Sequence, residues 1–147
     1  MSNAFIESPE RLDLRKAVAA LGAKYGESYF YEMAKTGQKT TELWQEAAKL
    51  GYVGVSIPEE FGGGGGDIGD LAAVCEELAA AGCPLLMLVV SPAIVGTLIA
   101  QYGTDNQKQR WLPGLADGSA TYAFGITEAD AGSNSHNLTT VATKSED

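Results

Sequence analysis

The segment YAFGITEADAGSN, Tyr122 to Asn134, carries the residues best suited to holding a ligand. Thr127, Gly132 and Ser133 follow a run of aromatic and β-branched residues, so their loop offers backbone N–H groups and short hydroxyls without adding charge. Such a donor set suits a polar heterocycle or a pyrophosphate. The same composition also makes a plain turn between two strands, and on the residues alone both readings stand.

Other reactive side chains form no constellation. Ser56, Ser91, Ser119, Ser133 and Ser135 share a single histidine, His136, and no G-x-S-x-G elbow is present to expose a nucleophile. Glu128 and Asp130 lie two residues apart, too close in sequence to bracket a glycosidic bond, and read as part of a turn. His136 reads as a solvent-facing loop histidine. Cys75 and Cys83, the only cysteines, fit reduced core positions better than a disulfide, and a zinc site needs three or four ligands. The five glycines Gly62–Gly66 lack the G-K-S/T ending of a phosphate loop and read as a turn feeding the next helix.

The elements that must position the Tyr122–Asn134 loop belong to a chain of 147 residues, 45% hydrophobic and 20% charged, enough for one globular core. The net charge of −9, with no local cluster of Lys or Arg, argues against nucleic acid and anionic membrane surfaces as partners. Leu78 to Thr104 has no charged side chain, but Pro84, Pro92 and Ser91 make it two packed helices rather than a membrane span.

The opening MSNA reads as a tag-like or disordered start over residues 1–8. Ser8 and Pro9 then have the form of an N-cap and first helical residue, giving a helix to about Leu21 with Leu14, Val18 and Leu21 buried. GESYFYEMAKTG continues it or forms a second helix, stopping near Gly37. Thr40 or Thr41 starts another, burying Leu43, Trp44, Ala47 and Leu50 and ending at Gly51. A helix from Ile68 or Gly69 to about Ala81 buries Leu71, Val74, Cys75 and Leu78, with Glu76 and Glu77 on its other side. Ser91 and Pro92 open a helix that Gly103 closes, and Thr104 with Gln107 makes a capping box for a short helix that Pro113 ends. From Ser119 the content turns to that of strands, ATYAFGI and NLTTVATK.

Three motifs together resemble a known family. TEADAGSN is similar to the T-E-P-x-A-G-S-D signature of acyl-CoA dehydrogenases. LWQEAAKLGYVGVSIPEEFGGGG resembles that family's helix, turn and I-P-E-x-x-G-G segment, and YGTDNQKQRWLPGLADG its G-x-x-x-Q-K-x-x-x-L-P-x-L-x-x-G segment. They occur in the family's order between about residue 40 and residue 147. Ala129 stands where the family usually has proline, and Asn134 where it has aspartate.

The resemblance implies a mainly α fold: residues 9–118 as the N-terminal helical domain, and 119–147 as the start of a flavin-binding β domain, with one or two strands. It implies FAD as cofactor, with Phe124 and Ile126 beside the flavin ring, Thr127 bonding its polar edge, Gly132 allowing close approach, and Ser133 near the pyrophosphate or the CoA moiety. The activity implied is desaturation of the Cα–Cβ bond of an acyl-CoA thioester, a carboxylate taking the α proton and flavin N5 the hydride. That carboxylate is expected beyond this chain, which is then inactive alone and binds FAD weakly at best. Acyl-CoA, an electron-accepting flavoprotein and further copies of the chain are the implied partners, in the cytoplasm of a bacterium or the mitochondrial matrix of a eukaryote. Leu85 to Ile99 is read either as helix packing or as a wall of the acyl pocket. Alternatives to a dehydrogenase are an acyl-CoA oxidase or flavin monooxygenase of the same superfamily, or a non-catalytic helical interaction module.

Overall fold

The computed structural model describes residues 7–145, so the first six residues of the expected tag-like start lie outside it. Helix α1 (Pro9–Thr36) begins where the Ser8 hydroxyl accepts the Arg11 N–H at 3.1 Å, with Pro9 in the first turn. It continues through the aromatic stretch, bent at Gly26, whose φ of 70° lies outside the helical region, and stops at the left-handed Gly37. Helix α2 (Thr41–Lys49) buries Leu43 and Ala47 and leaves Trp44 half-buried. Leu50, expected inside, is 51% exposed: it lies past the last helical residue, where the chain turns toward Gly51.

Between α2 and α3 the glycine run proves structural. Gly63 to Gly66 spend their N–H groups on the carbonyls of Pro58, Gly54, Ile57 and Val55, which leaves no donors for a phosphate. A Cβ on Gly63 would lie 2.0 Å from the Ile57 carbonyl oxygen, so only glycine lets the two backbones lie so close.

Helix α3 (Ile68–Ala80) starts at a reciprocal capping box between Asp67 and Asp70 and packs lengthwise on α1. Val18, Leu21, Leu71, Val74 and Leu78 form the shared core, and Gly22 brings α1 close to Ala81. Arg11 bonds Asp67 and Asp70 across the rim, and Arg15 bonds Glu7, Glu76 and Glu77. The two glutamates expected on the far side of α3 are therefore ties to α1. Both cysteines are free thiols, Cys83 buried and Cys75 half-buried.

The next helix starts earlier than Ser91. A wide π-helical turn, Val89–Gly96, runs directly into α4 (Thr97–Tyr102), with Pro92 inside it. Proline clashes with the carbonyl four residues back and lacks an N–H, and the wider turn accommodates both defects. Gly103 does close α4: a Cβ there would stand 2.5 Å from the Ile99 carbonyl oxygen.

Helix α5 (Asp105–Ala116) has the expected Thr104–Gln107 box but passes through Pro113 to Ala116. The break predicted at Pro113 does not occur; near the helix end its carbonyl still receives the Asp117 N–H. Leu112, Leu115 and Ala116 join Ile57 and Phe61 in a second core cluster.

No ladder forms after Ser119 among the described residues. The segment has no regular structure beyond one isolated antiparallel bridge between Glu128 and Ala131 and a 3-10 turn at Ser135–Asn137, and apart from the buried Ala131 and the half-buried Tyr122 and Glu128 most of it past Ala120 is exposed. The two stretches of strand-like composition have no third strand to pair with, and extended chain without partners leaves its polar groups to water. The fold is mainly helical, and no helix among the described residues is long and apolar enough to cross a membrane.

Candidate functional site

The chain leaves the helices through a series of short ties. Asp117 Oδ1 accepts the Ser119 N–H at 2.8 Å, the Gly118 carbonyl accepts the Trp44 indole N–H at 2.9 Å, and the Gly114 carbonyl accepts the Ala120 N–H at 2.9 Å. The Tyr122 N–H then donates to the Ser91 hydroxyl at 3.0 Å, and the Tyr122 ring packs on the second core cluster. Beyond it Phe124 and Ile126 are 43% and 39% exposed, two large apolar side chains two residues apart that face solvent.

Glu128 closes the loop that follows. Its backbone exchanges hydrogen bonds with Ala131, donating at 3.1 Å and accepting at 3.3 Å. Its carboxylate accepts the N–H and hydroxyl of Thr139 at 2.9 and 3.0 Å and the N–H of Thr140 at 2.8 Å. Hydrogen bonding by Thr140 and then by Thr139 pulls the carboxyl down to about 2, so it is a fixed anion at neutral pH and a poor proton acceptor. The Asn134 carboxamide accepts the His136 N–H and opens the 3-10 turn, keeping the cap that an aspartate would give.

Gly132 and Ser133 are exposed on the loop this clamp closes, and Thr127 is exposed immediately before it, with Phe124 and Ile126 on the approach. Among the described residues neither hydroxyl has a hydrogen-bond partner, and a Cβ on Gly132 would meet nothing within 4 Å. His136 is exposed, and no three-ligand group able to hold a metal occurs among the described residues. The sequence contained no signal for the Glu128 clamp or the Ser91 tie, which join residues 11 and 31 positions apart.

A concavity of about 620 Å³ lies away from this loop, between the C-terminal half of α1, the start of α2 and the Pro84–Met87 stretch. Phe30, Met33, Trp44, Leu85, Leu86 and Met87 line it, with Lys39 and Thr41 among its polar lining. Leu85 and Leu88 are buried and serve packing, whereas Leu86, Met87 and Val89 are exposed. The segment from Leu85 thus both packs the core and presents an apolar face.

Comparison with known proteins agrees with this architecture. Residues 8–119 match the family model described as acyl-CoA dehydrogenase, N-terminal domain. The acyl-CoA dehydrogenase FadE12 of Mycobacterium tuberculosis is 62% identical over 138 residues, covering 94% of this chain and 36% of that protein. Among solved structures, butyryl-CoA dehydrogenase from Megasphaera elsdenii superposes with a TM-score of 0.81 at 30% identity, over 97% of this chain and 38% of that one. An acyl-CoA dehydrogenase from Bacillus anthracis, complexed with FAD, gives 0.70 at 27% identity, over 90% and 23%. The chain belongs to the acyl-CoA dehydrogenase family. It spans 36% of the length of the FadE12 relative.

Proposed function

We propose that this chain supplies the helical domain and one edge of the flavin site of an FAD-dependent acyl-CoA dehydrogenase. The observation that carries the proposal is the loop closed by Glu128, which presents Gly132 and Ser133 with unspent polar groups, next to Thr127 and the exposed Phe124 and Ile126 that lead into it. An aromatic ring and a β-branched side chain suit the face of a flat heterocycle, and uncharged donors suit its polar rim.

In this reading Phe124 and Ile126 lie against the flavin ring, the Thr127 hydroxyl bonds its polar edge, Gly132 admits close approach, and Ser133 serves the pyrophosphate or the CoA moiety. FAD, when bound, supplies a two-electron acceptor for desaturation of the Cα–Cβ bond of an acyl-CoA thioester. The chain's own residues bind and orient, and Glu128, the carboxylate within the flavin motif, does not take the α proton because it is already committed to Thr139 and Thr140. The isolated chain is accordingly inactive, and its flavin affinity is weak. An electron-accepting flavoprotein is the proposed redox partner of the assembled enzyme, and the exposed face at Leu86, Met87 and Val89 is offered to its acyl side.

Titration of the chain with FAD, followed by flavin fluorescence, tests the proposal. Saturable binding with a dissociation constant of roughly 0.1–1 mM, weakened in Thr127→Ala, is the expected result. An unchanged affinity in Thr127→Ala, or no binding, removes the assignment.

A further inference from the structure

Ser91 is the one polar side chain that the helical core encloses completely among the described residues, at 0% exposure. A serine inside a helix ordinarily turns its hydroxyl back to a carbonyl of the preceding turn. Here the hydroxyl accepts the backbone N–H of Tyr122, 31 residues on, at 3.0 Å. Its setting is the π-helical turn that accommodates Pro92, and such turns collect at functional positions.

We propose that Ser91 is a positioning residue for the flavin loop, acting through the Tyr122 backbone; the role in flavin binding rests on the function proposed above. Among the described residues, every hydrogen bond made beyond Tyr122 stays within the tail, so this is the last one between helices and loop. Phe124 and Ile126 stand two and four residues past this tie, so holding the Tyr122 amide and ring fixes where the flavin loop leaves the helices.

The test uses the whole chain with S91A and S91T, read by residue-resolved amide exchange and by FAD titration. S91A is expected to speed exchange at Tyr122 about 10-fold while leaving α1 and α3 unchanged, and S91T, which keeps a hydroxyl, to restore the slow rate. Flavin affinity should follow the same order, roughly 5- to 10-fold weaker in S91A and recovered in S91T. Unchanged exchange at Tyr122 in S91A overturns the proposal. So does acceleration spread evenly over the helices, which would make Ser91 a general stability residue. If the unsubstituted chain binds no FAD, the flavin reading fails by itself, and exchange at Tyr122 still decides whether Ser91 holds the loop.

Discussion

A carboxylate that accepts three hydrogen bonds is expensive to protonate, and Glu128 shows what that does for a loop. Its pKa is lowered to about 2 from an ordinary glutamate value of about 4.3. The stability that it contributes is therefore fully present above about pH 4.3 and disappears as pH falls through about 2. The Thr139 and Thr140 amide resonances should hold constant from pH 7 to about 5 and shift only in stronger acid, and in Glu128→Gln that titration should vanish; a midpoint near 4.3 would show that the clamp is not formed. Two glycines separate the demand of packing from the proposed demand of flavin binding. Gly63→Ala must push a Cβ into the Ile57 carbonyl and should cost about 1–3 kcal/mol in urea denaturation. Gly132→Ala meets only open space, so stability should stay within about 0.5 kcal/mol while FAD binding weakens. Thr127, Gly132 and Ser133 were legible as binding candidates because turn chemistry is local. Phe124 and Ile126 came only with the family resemblance, since an exposed aromatic and a buried one look alike in sequence.

At the scale of elements, α1 and α3 carry the fold through an apolar seam with an ionic rim. Leu78→Ala, in the fully buried seam, should lose about 2–5 kcal/mol in thermal or urea unfolding. On the rim, hydrogen bonds from Arg15 lower the Glu7 carboxyl, Arg11 lowers Asp70, and on the α1–α2 side Lys24 and then Tyr25 lower Glu46. All three shifts are downward, so their contribution is complete above the ordinary carboxylate range near pH 4 and is lost in acid. Scanning calorimetry should show Arg15→Ala melting below the unsubstituted chain at pH 7, with the gap narrowing as pH falls below the ordinary carboxylate range. A gap that stays constant into strong acid would mean that Arg15 acts by packing alone. The caps at Ser8, Gly37 and Thr104–Gln107 were readable because each is settled within four residues. The errors fell where distant packing decides: Pro113 and Pro92 are held inside helices by their neighbours, Leu50 is turned out, and the strands after Ser119 lack partners outside the local sequence.

As a whole molecule the chain is acidic and carries exposed apolar groups on the Leu86–Val89 stretch, at Tyr102 and along the tail at Phe124, Ile126 and Val141. Surface of that kind favours self-association, so light scattering should give a mass above 15.4 kDa, growing with concentration; a clean monomer at high concentration contradicts that expectation. The central claim is that the helical domain holds a preformed edge of a flavin site, tied by Ser91 and closed by Glu128. Its most direct test is to titrate the isotopically labelled chain with FAD and map the amide shifts. The account predicts saturable changes confined to the stretch from Phe124 to Ser133. Changes centred instead on the Trp44 and Met87 groove, or none up to millimolar FAD, would contradict it.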